Sequence, residues 1–118
     1  MNTDIPALLI QSFEHLLTFA RPDAVMKAHI PKPPKGRLIV IGAGKASAAM
    51  AAAFEEHYTG AIEGIIVTRY GFEVPTRHIQ ILQAAHPVPD LAGVEAVEKI
   101  MALSKTAGED DLVICLLS

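Results

Sequence analysis

The sequence predicts an α/β protein with a mostly parallel sheet and flanking helices. Short apolar runs at residues 38–41, 64–68 and 111–117 have the length and the β-branched residues that buried strands show. Longer stretches with helical spacing of apolar residues lie between strands, as at residues 91–107. Strands and helices that alternate in this way favour parallel pairing through right-handed crossovers.

Composition limits the classes to which the protein can belong. Its 118 residues allow one domain, and 51% hydrophobic with 19% charged residues excludes disorder. No apolar run reaches the roughly 18 residues of a membrane helix, and no secretory signal is recognisable. A net charge of −3 without a basic stripe argues against a nucleic-acid partner. With a single cysteine, these features predict a cytoplasmic protein that handles a small molecule.

The N-terminal part is predicted to be helical and then extended. A first helix is predicted over residues 3–19, with Thr3 as its N-cap and Pro6 in its first turn. A short second helix follows at residues 24–29. Residues 31–36 are rich in proline and form a stiff spacer before the first strand.

A glycine-rich turn links the first strand to the next helix, which begins near Ala46. Gly42, Ala43 and Gly44 leave backbone N–H groups uncovered at the helix N-terminus, where the helix dipole favours an anion. Lys45 adds a mobile positive charge at the same point. The turn therefore predicts a binding site for a phosphate or carboxylate group. Tight packing between strand and helix is the alternative interpretation.

The turn matches neither of two common phosphate-binding motifs in full. It is not a P-loop, because Ile39 and Ala46 stand where that motif needs a glycine and a Ser or Thr. It half-fits the dinucleotide-binding fingerprint, with Ser47 in place of the third glycine. Arg69 ends the next strand, and an arginine there could hold a 2′-phosphate. The sheet is thus predicted to be Rossmann-like, and an NADP-dependent reductase stays open as a second interpretation.

The second half of the chain is predicted to complete the sheet. A third strand is expected at residues 78–84, a rigid corner at 86–90 and a last strand at 111–117. The helix between them is expected to pack through one apolar face, made by Val94, Val97, Ile100, Met101 and Ser104. Ligands of parallel sheets lie at the carboxyl ends of the strands. The turn at 42–45, Tyr70-Gly71 and the corner at 86–90 all fall at that edge.

Other reactive side chains are expected to be structural. Cys115 lies in an apolar run and is interpreted as a small core side chain. Glu55, Glu56 and the acidic residues 109–111 are interpreted as solvated ends of elements. No group of residues has the spacing of metal ligands.

The sequence resembles the glycerate 2-kinase family of the MOFRL type, whose members are often labelled hydroxypyruvate reductase. Four blocks carry the resemblance, and they follow the family's order over nearly the whole chain. They are Gly-Ala-Gly-Lys-Ala at 42–46 with Met-Ala at 50–51, Val-Thr-Arg-Tyr-Gly at 67–71, Ala-His-Pro-Val-Pro-Asp at 85–90 and Asp-Asp-Leu-Val at 110–113. The sequence departs from the pattern at Phe72, where histidine is expected, and at Leu91, where an acid is frequent.

The resemblance implies a kinase that uses ATP and Mg²⁺ to phosphorylate D-glycerate to 2-phosphoglycerate. It implies that Lys45 is catalytic and that it orients the substrate or neutralises the transferring phosphoryl group. It places His86 and Asp90 in the cleft beside the glycine turn. For Asp90, capping the next helix is the alternative. Ser118 resembles the first residue of the family's Ser-Gly-Gly-Gly-Ser loop, which implies an anion-binding role.

We expect the chain to be the N-terminal part of a larger two-domain protein, because it stops at Ser118 directly after an apolar strand. Residues 1–36 would supply the N-terminal helices and the proline-rich spacer. Residues 37–118 would form a partial Rossmann-like domain, truncated before the glycine-rich loop and without the C-terminal MOFRL domain. Such a fragment is expected to be inactive alone and to form homo-oligomers.

Two other functions stay open at this point. One is an NAD(P)H-dependent hydroxypyruvate reductase, which would use NADPH or NADH in place of ATP and Mg²⁺. The other is a non-catalytic module that binds a small hydroxy acid. All three functions have a small-molecule ligand, and none involves a nucleic acid or a membrane.

Overall fold

The computed structural model describes residues 4–118 as a four-stranded sheet with helices on both faces. All neighbouring strands are parallel, and their order in the sheet is β3-β2-β1-β4. The strands are β1 (Leu38–Ala43), β2 (Ile62–Arg69), β3 (Ile79–Ala84) and β4 (Leu112–Leu117). The helices are α1 (Ile5–Ala20), α2 (Pro22–Met26), α3 (Ser47–His57) and α4 (Leu91–Ser104), with a short 3₁₀ turn at Lys27–His29. The predicted parallel α/β fold is confirmed.

The sheet is packed most tightly on the face that α3 covers. Phe54 of α3 and Tyr58, which follows it, stack their rings with centroids 5.5 Å apart. They contact buried side chains from all four strands. This core consists of Leu38, Val40, Ala51, Phe54, Tyr58, Ile66, Ile79 and Leu116. Alternation along the strands explains the set, because every second residue of a strand points to the same face.

Helix α4 packs on the other face through its small residues. Ala96 is buried, and a Cβ on Gly93 would lie 3.5 Å from the Cβ of Ala84 in β3. The predicted packing face of this helix is therefore partly wrong, since Val94 and Val97 are each 53% exposed. The close approach that Gly93 and Ala96 permit turns the larger side chains to the flanks of the contact.

A charged cluster fixes the amino edge of the sheet, where the strands begin. The carboxylate of Asp111 accepts hydrogen bonds from the backbone N–H of Arg37 at 2.6 Å and from its guanidinium at 2.9 Å. The guanidinium also contacts Glu63 at 3.3 Å. The N–H groups of Gly108 and Arg37, and then the guanidinium, lower the pKa of Asp111 to about 2. The expectation that Asp111 is merely solvated is thus wrong.

Glu55 near the end of α3 is a second carboxylate that was wrongly expected to be solvated. Its side chain is 3% exposed and accepts three backbone hydrogen bonds. The donors are the N–H groups of Arg77, His78 and Ile79, at 2.6, 2.8 and 2.7 Å. Burial raises the pKa of Glu55, but these donors outweigh it, so the pKa lies below its ordinary value of 4.5. Glu55 thereby attaches the start of β3 to α3.

Helix α1 exposes its apolar residues. Its N-cap is Asp4, whose carboxylate accepts the N–H of Ala7 at 3.2 Å; the predicted cap, Thr3, lies outside the described residues. Pro6 lies in the first turn, as predicted. The large apolar side chains that stay exposed are Ile5, Leu8, Leu9, Ile10, Phe13, Leu16, Leu17 and Phe19. Across residues 4–118, none of the helices has both the length and the hydropathy of a membrane span.

Strand β4 lies at one edge of the sheet, and one of its faces is open. Leu116 is buried in the core, whereas Val113 is 39% and Leu117 66% exposed. Cys115 shares the open face and is exposed. The interpretation of Cys115 as a core side chain is therefore wrong, because an apolar run in an edge strand need not be covered on both faces.

The Glu55 contacts lead to a prediction about stability. Glu55→Gln replaces one carboxylate oxygen by an NH₂ group and removes the negative charge, so the three backbone N–H groups lose a charged acceptor. We therefore expect the free energy of unfolding to fall by about 2–4 kcal/mol at pH 7. Because the pKa of Glu55 is lowered in the folded state, its contribution is complete above pH 4.5 and is lost as the pH falls through the folded-state pKa. Urea denaturation at several pH values measures both effects.

The neighbouring residue provides the control for this measurement. Glu56 is exposed, so Glu56→Gln should leave the unfolding free energy almost unchanged. A Glu55→Gln variant as stable as the Glu56→Gln variant at pH 7 would contradict the assigned role of Glu55.

Candidate functional site

The site lies at the carboxyl edge of the sheet, where the strands end. The chain leaves β1 through α3 on one face to reach β2, and it leaves β3 through α4 on the other face to reach β4. The connections therefore change face at the boundary between β1 and β4. In open parallel sheets such a boundary leaves a crevice at the carboxyl ends of the strands, where ligands bind.

Two glycines allow the backbone to pass closely at this boundary. A Cβ on Gly42 would overlap the carbonyl oxygen of Leu116 in β4, and a Cβ on Gly44 would overlap Ser118. Gly44 also has a φ of +126°, a conformation that L side chains rarely adopt. The hydroxyl of Ser118 accepts the N–H of Ala46 at 2.9 Å. Ser118 thus lies against the glycine turn, and its anion-binding role stays a prediction.

Most backbone N–H groups of the turn are already bonded within the protein. The N–H of Gly44 donates to the Val67 carbonyl at 3.1 Å, and that of Ser47 donates to the Gly44 carbonyl at 3.3 Å. Ser47 is buried, and its hydroxyl also donates to the Gly44 carbonyl, at 2.6 Å. Within the described chain, the N–H of Lys45 makes no such bond. The turn therefore offers a ligand fewer amides than its sequence suggests.

A cavity of about 570 Å³ opens beside the turn. Its wall combines the ends of β1, β2 and β3, the corner after β3, the first turns of α4 and the last residue of the chain. The lining residues are Ala43, Gly44, Lys45, Val67, Thr68, Arg69, Ala84, Ala85, His86, Pro87, Pro89, Gly93, Val94, Val97, Glu98 and Ser118. The structure thus brings together five of the predicted site residues: Ala43, Gly44, Lys45, His86 and Ser118.

The other two predicted site residues lie outside the wall of this cavity. Gly42 is within β1, where its missing side chain makes room for β4. Asp90 is the N-cap of α4 and accepts the N–H of Gly93 at 3.0 Å. Its other carboxylate oxygen accepts the hydroxyl of Tyr70 at 2.8 Å. In this structure Asp90 joins the loop after β2 to the start of α4.

The Tyr70 contact also affects the titration of Asp90. The hydroxyl of Tyr70, together with the N–H of Gly93, lowers the pKa of Asp90 below its ordinary value of 3.8. The same hydrogen bond raises the pKa of Tyr70, because the hydroxyl proton is shared with a carboxylate.

Sequence reasoning missed the part of the wall that α4 supplies. Val94, Val97 and Glu98 line the cavity, although the two valines were predicted to pack on the sheet. The spacing of Val94 and Glu98, four residues apart, places them on one side of a helix. Arg69 was considered only as a ligand for a 2′-phosphate, yet it lines the same cavity as Lys45.

The described residues provide no set of metal ligands. Within residues 4–118, no three His, Cys, Asp or Glu side chains are grouped so that they could hold an ion. The Mg²⁺ that the resemblance implies therefore has no ligand set here, and we assign it to no residue of this chain.

The fold and the cavity define a class of protein. A parallel α/β sheet with a glycine turn, an exposed lysine and a cavity at its carboxyl edge is typical of domains that bind a small molecule at that edge. Residues 8–118 match the family described as a domain of unknown function, DUF4147. The chain belongs to this family. The resemblance to glycerate 2-kinases is confirmed at the level of the family, since proteins with that name are among the relatives.

The relatives are much longer than this chain. A protein of Agrobacterium vitis, provisionally named a hydroxypyruvate reductase, is 46% identical over 112 residues, which are 94% of this chain and 26% of that protein. The D-glycerate 2-kinase of Thermotoga maritima is 36% identical over 99 residues, which are 82% of this chain and 24% of the kinase. A solved glycerate kinase from the same organism has a TM-score of 0.84 at 29% identity, over 97% of this chain and 28% of its own. The chain thus spans about a quarter of their length.

The contact between Tyr70 and Asp90 yields a prediction about pKa. Tyr70→Phe removes the hydroxyl donor, so we expect the pKa of Asp90 to rise toward its ordinary value of 3.8. Titration of the side-chain carboxyl ¹³C resonance of Asp90 by NMR measures this directly. Tyr58→Phe is the control, because Tyr58 lies in the core and not beside Asp90. An unchanged pKa in Tyr70→Phe would show that the hydrogen bond is absent in solution.

Proposed function

We propose that this chain forms part of an ATP-dependent kinase that converts D-glycerate to 2-phosphoglycerate. The observation that carries the proposal is the exposed Lys45 at the wall of a cavity of about 570 Å³, in a chain whose relatives include the D-glycerate 2-kinase of Thermotoga maritima. We propose further that the rest of the enzyme, including a C-terminal MOFRL domain, lies outside these 118 residues.

The chemistry of the cavity supports a phosphoryl transfer. Such a transfer depends on positioning and on stabilising negative charge, and it needs little covalent chemistry from the protein. The ammonium group of Lys45 would bind an anionic oxygen, and so would the backbone N–H of the same residue, which makes no hydrogen bond within the described chain. The ring of Pro87 and the side chains of Val94 and Val97 add apolar surface to the wall of the cavity. Where the rest of the enzyme closes the cavity off from water, this surface would lower the local dielectric and so strengthen the effect of the lysine.

The size of the cavity fits a small ligand. Binding cavities for small molecules range from about 300 to 1,000 Å³, and a cavity of about 570 Å³ falls within that range. A three-carbon hydroxy acid fills only part of it, which leaves room for the terminal phosphate of a nucleotide. We propose that ATP is the donor and that any Mg²⁺ is held by its phosphates and by groups outside the described residues.

A reductase that uses NADPH or NADH is the second candidate function. The provisional name of the Agrobacterium vitis relative favours it, and so does the strand order, which equals the first four strands of the dinucleotide-binding fold. Ser47 argues against it, because this residue replaces the third glycine and its hydroxyl takes part in closing the turn. We therefore place the kinase first.

A pair of enzyme assays tests the proposal. The protein to use is the product of the reading frame that contains these 118 residues. We expect ADP to form when the protein is given ATP, Mg²⁺ and D-glycerate. Oxidation of NADPH with hydroxypyruvate, without any ADP formation, would overturn the kinase and establish the reductase.

Lys45 gives the first variant to examine in this protein. Lys45→Met removes the charge but keeps a side chain of similar length, and Lys45 lies outside α3 and the core. We expect kcat to fall on the order of 10²-fold or more, as for loss of one electrostatic contact in a transition state. The melting temperature should hardly change. Lys105→Met, at an exposed lysine just after α4, is the control. Normal turnover by Lys45→Met would show that the glycine turn serves packing and that Lys45 is not catalytic.

We expect the 118-residue chain alone to lack kinase activity and to associate. In an open and wet site, one unit charge at contact distance is worth roughly 1 kcal/mol, which is too little to catalyse the transfer. The apolar residues of α1 and the open face of β4 are exposed and should drive association. Size-exclusion chromatography and an ADP-release assay test the two halves. A soluble monomer that phosphorylates D-glycerate would contradict both.

A further inference from the structure

Arg69 is a second cation at the cavity and takes no part in the ion pairs of residues 4–118. It is the last residue of β2, it is exposed, and it lines the cavity together with Lys45. In the part of the chain that the structure describes, the arginines in salt bridges are Arg21, Arg37 and Arg77. The charge of Arg69 is therefore not neutralised by any described carboxylate.

An aromatic ring holds Arg69 in place instead. The guanidinium carbon lies 4.3 Å from the centroid of the Phe72 ring. Such a contact orients a guanidinium plane but, unlike an ion pair, leaves its N–H donors and its charge available. A side chain with many rotamers is thereby ordered before a ligand arrives, which reduces the entropy cost of binding.

The backbone sets up this contact through a tight turn. The N–H of Phe72 donates to the carbonyl of Arg69 at 3.2 Å, which brings the two side chains to the same side of the loop. Gly71 occupies the third position of this turn with a φ of +77°, the conformation that a type II turn requires there. The N–H of Gly71 donates to the side chain of Gln83 at 2.8 Å, and Tyr70 bonds to Asp90. The turn is thus attached to both β3 and α4.

We propose that Arg69 is a second anion-binding residue of the cavity, positioned by Phe72, and that it binds with Lys45 an oxyanion of the ligand. The guanidinium can donate two parallel hydrogen bonds to a carboxylate or a phosphate, whereas an ammonium acts as a point charge. Lys45, Arg69 and Glu98 all line the cavity, so its wall carries two cations and one carboxylate. The inference rests on the proposed function for the identity of the ligand, D-glycerate or the phosphates of ATP.

Binding measurements without turnover test this inference. The protein is again the product of the reading frame that contains this chain. Isothermal titration calorimetry gives the Kd for inorganic phosphate, for ADP and for D-glycerate, each measured separately. We expect Arg69→Gln to raise the Kd of at least one of them on the order of tenfold, which is the loss of one charged hydrogen-bonding partner. If phosphate and ADP are affected, Arg69 binds the nucleotide; if D-glycerate is affected, it binds the substrate carboxylate. Either result supports the proposal.

Conservative variants separate positioning from packing. Phe72→Leu keeps an apolar side chain but loses the aromatic face, so its Kd should rise about threefold, whereas Phe72→Tyr should bind like the unmodified protein. Arg69→Lys keeps the charge but loses the planar group, and its Kd should lie between those of Arg69→Gln and the unmodified protein. Arg21→Gln, at an exposed arginine of α2's N-cap, is the control and should bind normally.

The two proposals fail in different ways. If D-glycerate and ATP give ADP while Arg69→Gln keeps every Kd and KM unchanged, the role of Arg69 is overturned and the kinase stands. If no ADP forms but Arg69→Gln still weakens anion binding, the kinase is overturned and the role of Arg69 stands. Absence of saturable binding of any of the three ligands by the unmodified protein overturns the role of Arg69.

Discussion

The close passage of β1 and β4 is the constraint on which the site depends. Gly42 and Gly44 have no room for a Cβ, because the backbone at Leu116 and Ser118 occupies that space. A side chain at either position would push the two strands apart where the connections change face. Lys45 follows directly after Gly44 and lines the cavity beside this close passage. The two glycines therefore fix the position from which the lysine reaches the cavity.

The arginine at the amino edge of the sheet forms ion pairs, whereas the two cations at the carboxyl edge do not among the described residues. At the amino edge Arg37 is paired with Asp111 and Glu63, and Asp111 accepts backbone N–H groups as well. At the carboxyl edge Lys45 and Arg69 have no described ion-pair partner. Ion pairs at the amino edge hold strands and loops together, whereas Lys45 and Arg69 make no ion pair among the described residues. Their positive charge is therefore available to a ligand.

The strands and the glycine turn could be predicted from the sequence, because both depend on local patterns of residues. It was not sufficient for Glu55, whose partners lie 22 to 24 residues further along the chain. The exposed Cys115 and the packing side of α4 were predicted wrongly for a related reason. Both depend on which neighbouring element covers a surface, and apolar spacing alone does not specify that. Arg69 could have been found from Gly71, since a glycine two residues after a strand-end arginine indicates a turn that folds the chain back toward it.

The bonding inside the glycine turn bears on the choice between the two candidate reactions. A dinucleotide-binding turn holds a pyrophosphate through free backbone N–H groups and needs small residues where the ligand approaches. Here Gly44, Ala46 and Ser47 already donate their N–H groups within the protein, to Val67, Ser118 and Gly44 respectively. An anion at this edge would therefore be bound chiefly by the side chains of Lys45 and Arg69. The glycine turn thus lacks the row of free amides with which a dinucleotide-binding turn holds a pyrophosphate. The bonding within the turn therefore argues against a nicotinamide dinucleotide at this position.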